Sequence, residues 1–224
     1  MASPLASPFE RLKQDHAADW HAYVEHRFVR ELATGDLPQA AFQHYLKQDY
    51  LFLIQFARAW GLAVYKSRDL VDLRQSLDSL KAIVDIELGL HIGYCAQWGI
   101  SEADLAELAE SKATLAYTRY VLDAGMSGDL LDLHVALAPC IIGYGEIATW
   151  IRQQTFTRLD GNPYADWIEM YAGEEYQQLV AAEVRWLNDR LAHLDAGRLK
   201  QLSVVFRDAT RLEADFWQMG LDLS

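Results

Sequence analysis

Apolar residues recur at spacings of three and four along nearly the whole chain, and no segment alternates apolar and polar residues over strand length between glycine-rich turns. The pattern predicts an all-α fold. A first helix over 9–32 carries Trp20, Tyr23, Val24 and Phe28 as a stripe and stops at Thr34-Gly35-Asp36. Pro38 opens a second helix with a broad aromatic face of Phe42, Tyr45, Leu46, Phe52, Leu53 and Phe56, and Asp49 lies inside that face. A third helix is expected from about 69 to about 98, and a short fourth after Ser101-Glu102-Ala103-Asp104, which has the form of an N-cap with an acid in the first turn. Next come a helix over 111–124, a turn over 125–128, and a long helix over 129–155 that is apolar on most sides. Gly161-Asn162-Pro163 breaks the chain before helices over 164–193, interrupted near Gly173, and 197–220. Residues 1–8 read as a frayed tail and 9–224 as one helical domain without linker or repeat.

Charge narrows the partners. Acidic residues outnumber basic ones 32 to 20, for a formal net charge of −12, and such a surface repels phosphate backbones and anionic headgroups. Neither nucleic acid nor membrane is an expected partner. The segment 1–8 lacks the basic start and apolar stretch of a secretory signal, and the most apolar stretch, 135–145, is short for a bilayer. Only Cys95 and Cys140 are present, so no disulfide framework is implied and a reducing cytoplasm is the expected compartment.

The segment Leu137-Ala138-Pro139-Cys140-Ile141-Ile142-Gly143-Tyr144-Gly145-Glu146 breaks several local rules inside the long helix. Pro139 removes a helical hydrogen bond, while Gly143 and Gly145 weaken the helix without filling space. Shape is gained at the expense of stability, as close approach of a ligand would require. Cys140 and Tyr144, at i and i+4, share a face and can address one bound molecule. A helical cysteine among aliphatic residues is also common as inert filling, and Tyr144 as core. Asp49 and Glu213 are carboxylates on otherwise apolar faces, which calls for a ligand or an ion pair. Glu87 and His91, one turn apart, could supply metal ligands, but a di-iron bundle needs matching carboxylate and histidine pairs on other helices, and after His134 the sequence has only His193. Phosphate-binding glycine loops, Cys-x-x-Cys and Gly-x-Ser-x-Gly are absent.

In order along the chain, Lys47-Gln48-Asp49-Tyr50, Ala138-Pro139-Cys140 with Tyr144 and Glu146, and Phe216-Trp217-Gln218-Met219 resemble the TenA (thiaminase II) family, cysteine-containing branch. Pro38-x-x-x-Phe42-x-x-Tyr45, Glu87-x-x-x-His91 and Trp167-x-x-x-Tyr171-Ala172-Gly173 extend the resemblance over nearly the whole chain. It implies a haem-oxygenase-like helical bundle without haem, assembled as a homotetramer, each protomer enclosing an active-site cavity. It also implies hydrolysis of a thiamin-derived aminopyrimidine, 4-amino-5-aminomethyl-2-methylpyrimidine or thiamin itself, without metal or cofactor. Carried over by position, Cys140 is the nucleophile and Glu213 the acid/base. Asp49 then hydrogen-bonds the aminopyrimidine, and Tyr117, Tyr144 and Tyr171 line the pocket. The sequence departs from the pattern at Phe52, where a tyrosine is common, at Gly145 and at Ile141-Ile142, changes expected to enlarge or dry the pocket and to bear on specificity. Two other functions compete: a non-catalytic protein that binds thiamin fragments, and a metal-dependent oxygenase using Glu87, His91 and Glu146. Cys95 reads as structural.

Overall fold

A computed structural model describes residues 6–224, and every regular element among them is helical. Three short helices replace the first one expected: α1 (Pro8–Asp15), α2 (Ala17–Val24) and α3 (Arg27–Thr34). Ser7 caps α1, its hydroxyl accepting the Glu10 N–H, and Pro8 opens the helix; of the tail expected over 1–8, residues 1–5 lie outside the described residues. The interruptions fall at His16 and at Glu25-His26, where the His26 ring accepts the Phe28 N–H and starts α3 afresh. A continuous apolar stripe does not disclose these breaks, because neither glycine nor proline marks them. Gly35, with φ 75°, ends α3 in the left-handed conformation that glycine adopts at least cost.

α4 (Gln39–Lys66) is followed by α5 (Leu70–Lys81), capped by Asp69 through the Val71 and Asp72 amides. A π-helical turn, Ala82–Glu87, joins α5 to α6 (Leu88–Gln97) without a break. α7 (Glu102–Ala106) opens with the full capping box of Ser101 and Asp104. α8 (Lys112–Ser127) runs through the segment expected to turn, because Gly125 lies where a β-carbon would come within 2.8 Å of Leu133 Cδ1 and 3.0 Å of Leu62 Cδ2. Gly125 is a packing glycine inside the helix.

α9 (Leu130–Ala138), a second π-helical turn (Pro139–Gly143) and α10 (Tyr144–Gln153) form one run, followed by α11 (Ala165–Ala172), α12 (Glu174–Leu191) and α13 (Ala196–Asp222). The run from Leu130 to Gln153, at 24 residues, is long enough to cross a bilayer by length and composition, but most of its apolar window is buried in the protein, as in a core helix.

The chain gathers into two compact units. One comprises the chain up to Leu37 with His134–Ala214. There α1 packs on α12, α10 packs on α2, α3, α11 and α12, and the core is built on Trp20, Tyr23, Phe28, Trp167, Tyr171 and Phe206. The other comprises Pro38–Leu133 with Asp215–Ser224, and α4 is its spine against α5, α6, α7 and α8. Its core includes Phe42, Tyr45, Phe52, Trp60, Tyr117, Phe216 and Trp217. Each such fully buried aromatic or aliphatic side chain stabilises by about 1.5–3 kcal/mol.

Candidate active site

In the first unit, the rule-breaking segment becomes a widened turn. Pro139 has no N–H to give the carbonyl of Val135, so ordinary α-helical bonding cannot continue, and the chain adopts the i→i+5 turn of Pro139–Gly143 instead. Two phenols hold the turn from outside. The Tyr23 hydroxyl donates to the Pro139 carbonyl at 3.1 Å and the Tyr176 hydroxyl to the Ile141 carbonyl at 3.0 Å, one on each side of Cys140. Such single-turn π bulges concentrate at functional sites. Cys140 is half-buried while Pro139, Ile141 and Ile142 are buried, so Cys140 is the residue of this turn that keeps some exposure.

The two glycines of the segment have a packing cause. A β-carbon on Gly143 would sit 2.3 Å from Tyr23 Cε1, and one on Gly145 would sit 2.7 Å from Val180 Cγ2 and 3.1 Å from Gln177 Nε2. The space beside Gly145 is filled: Val180 and Gln177 occupy it, and the Gln177 amide donates to the carbonyls of Gly145 (3.1 Å) and Tyr171 (2.8 Å). Tyr144 and Tyr171 do come together, ring centroids 5.0 Å apart, and Tyr171 also meets Trp167 at 4.6 Å and Tyr176 at 4.8 Å. Glu213, on α13, is 1% exposed. Glu146 is held by Lys13 Nζ at 2.6 Å and Trp20 Nε1 at 2.8 Å, which makes it a tie to α1 and α2.

In the second unit, Asp49 is 4% exposed on α4. Its Oδ2 lies 2.6 Å from His91 Nε2 and accepts the Tyr45 hydroxyl at 3.2 Å. His91 Nδ1 lies 2.9 Å from the Glu87 backbone carbonyl. Burial pulls the imidazole pKa down, but the charge and hydrogen bond of Asp49, with the charge and carbonyl of Glu87, outweigh it and leave it raised above 6.5. The helical spacing of Glu87 and His91 was legible, but the group of Glu87 that meets His91 is its backbone, and the carboxylate partner of His91 is Asp49, 42 residues away in sequence. Among the described residues no three His, Cys, Asp or Glu side chains converge as a metal-binding group.

Phe52 and Tyr117 lie together, ring centroids 5.0 Å apart, and Phe52 also meets Phe216 at 5.6 Å. Tyr45 meets Trp217 at 5.1 Å. Tyr45, Asp49 and Phe52 follow one another at helical spacing, so one face of α4 presents a carboxylate amid flat aromatic surfaces. Cys95 is fully buried with Tyr50, Leu51 and Leu105, and burial pushes its thiol pKa up, the marks of a structural cysteine. Sequence reasoning missed a second buried pair, His134 Nδ1 at 2.7 Å from Glu183 Oε1, with the His134 ring stacked on Trp186 at 3.8 Å. No local motif marks it, since its members are 49 residues apart.

The fold defines a class, an all-α helical bundle, here with a half-buried cysteine in a widened helical turn and the buried carboxylates Asp49 and Glu213. The chain belongs to the TENA/THI-4/PQQC family, whose pattern matches residues 13–223. An aminopyrimidine aminohydrolase of Halalkalibacterium halodurans is 34% identical over 202 residues, covering 90% of this chain and 89% of that one. The crystal structure of a TenA family transcription regulator from Silicibacter sp. TM1040 is 43% identical and superposes with a TM-score of 0.87 over 99% of both chains. A Shewanella denitrificans domain with a haem-oxygenase-like fold, 15% identical, superposes with a TM-score of 0.71 over 99% of this chain and 94% of that one, which establishes the fold type.

Proposed function

We propose that this protein is an aminopyrimidine aminohydrolase. It would replace the amine on the 5-methylene of 4-amino-5-aminomethyl-2-methylpyrimidine, and with lower priority the thiazolium of thiamin, by hydroxyl in thiamin salvage. The observation that carries the reading is the half-open Cys140 in its phenol-braced turn, in a family with relatives named for that activity. Cys140 Sγ adds as thiolate to a ring carbon, and a ring nitrogen takes up a proton. The ring electrons expel the amine from the methylene as Glu213 supplies its proton. Water adds to the exposed methylene, Glu213 takes a proton back, and the ring nitrogen gives up its proton as the thiolate leaves, so amine and water become ammonia and alcohol and the ring is aromatic again. Asp49 accepts a hydrogen bond from the aminopyrimidine, and Tyr117, Tyr144 and Tyr171 flank it. Neither metal nor cofactor is needed for these steps. Phe52 offers a face without a hydroxyl, which bears on specificity. The protein is further proposed to assemble as a homotetramer.

Purified protein and its Cys140→Ser variant are to be incubated with the aminomethyl pyrimidine and with thiamin, and the hydroxymethyl pyrimidine followed by chromatography. Wild type is expected to form product, faster from the aminomethyl compound, while the variant loses on the order of 10³-fold or more in kcat yet folds and binds ligand. Turnover at the wild-type rate by Cys140→Ser removes the thiol from the mechanism. Binding without product from wild type would favour the non-catalytic reading.

A further inference from the structure

The buried pair Asp49–His91 is more specified than a structural ion pair requires. A backbone carbonyl can only accept, so the Glu87 carbonyl fixes Nδ1 of His91 as a donor. The remaining nitrogen, Nε2, faces Asp49 Oδ2 at 2.6 Å, a contact that must hold a proton. Tyr45 adds a second hydrogen bond to the same oxygen, Oδ2, at 3.2 Å. Both contacts fall on one carboxylate oxygen, Oδ2, which pins the side chain and leaves Oδ1 outside these two bonds. Phe52 follows Asp49 at helical spacing on α4, and its ring lies 5.0 Å from that of Tyr117 on α8, a flat apolar surface of the kind that suits a heteroaromatic ring.

We propose that His91 is the positioning residue that makes Asp49 a fixed acceptor for the amino group of the substrate ring, and so selects amino-substituted over unsubstituted pyrimidines. The proposal rests on the aminohydrolase reading above. With Nδ1 committed to a carbonyl, an imidazolium donates from both nitrogens, and the raised pKa of His91 agrees with that state. A carboxylate so held accepts from an exocyclic N–H. A ring bearing hydrogen at that position leaves Oδ1 desolvated and unmatched.

The test compares dissociation constants for 4-amino-2,5-dimethylpyrimidine and 2,5-dimethylpyrimidine in wild type, His91→Phe and His91→Gln, with KM and kcat for the aminomethyl substrate. Wild type is expected to prefer the amino ligand by about 10- to 100-fold, the difference a hydrogen bond to a charged group makes. His91→Phe should reduce the preference to a few-fold and raise KM about tenfold with kcat moving less, and His91→Gln, a neutral donor, should fall between. A structural role would weaken both ligands alike and leave their ratio unchanged. An unchanged ratio in whichever variant folds overturns the assignment and leaves the aminohydrolase reading intact. A wild type that turns over no aminopyrimidine and shows no amino preference overturns both.

Discussion

At the scale of single residues, sequence periodicity located the chemical groups but not their partners. Asp49 stood out because a carboxylate interrupts an apolar face, and Cys140 because proline and glycine surround it; both signals are local. The partner of Asp49 lay out of reach, since a contact across 42 residues leaves no mark in helical spacing, and His91 was read instead with the nearer Glu87. The pair has a consequence for stability. With its folded pKa raised above the ordinary 6.5, His91 binds its proton more tightly folded than unfolded. Its contribution is therefore complete below about pH 6.5 and lost as pH rises through the folded value. The groups facing the ring are the Asp49 carboxylate, the Tyr45 hydroxyl (through Asp49) and Glu87. Urea unfolding across pH 6–9 is expected to show wild type losing stability relative to His91→Gln, and parallel curves would contradict this.

At the scale of elements, start and stop signals worked at Asp69, Ser101, Gly35 and Gly173, which all fall at helix ends, but not at His26, whose ring caps α3 although histidine is no usual cap. Signals read from composition alone did less well. Gly125, where the composition predicts a turn, sits inside α8, and the π turn at Ala82–Glu87 contains neither proline nor glycine to announce it. The π turn at Pro139–Gly143 is legible as an irregularity through Pro139, but the phenol that braces it is not, because Tyr23 reaches it from 116 residues away. Two glycine substitutions separate packing from propensity. Gly143→Ala drives a methyl group into Tyr23 and is expected to cost about 1–3 kcal/mol. Gly61→Ala, mid-helix in α4 with nothing within 4 Å of the added carbon, is expected to stabilise by about 0.5–1 kcal/mol. Thermal or urea unfolding of the two variants gives the signs directly.

At the scale of the whole molecule, the all-α class was readable because nearly every segment repeats apolar residues at the helical period, a redundant signal that survives errors at individual boundaries. The gathering of the chain into two compact units was not, since each unit joins segments distant in sequence and no composition change marks the joins. Association depends on surface rather than core. Leu70, Val71, Val84, Ile86 and Leu90 are exposed apolar residues concentrated on α5, the following π turn and α6. Light scattering during gel filtration is expected to give four times the chain mass, and Val71→Glu with Ile86→Glu to lower it. A single-chain mass for wild type would remove the tetramer.

The brace around Cys140 also bears on how such a protein can change over generations. Tyr23 and Tyr176 bond to the main chain on either side of position 140, and main-chain carbonyls are the same whatever side chain lies between them. The shape of the turn is thus inherited separately from the sulfur it displays. A lineage descended from this chain could trade the thiol for another side chain in one step, keeping the scaffold, and acquire a different chemistry or a purely binding role without first having to refold.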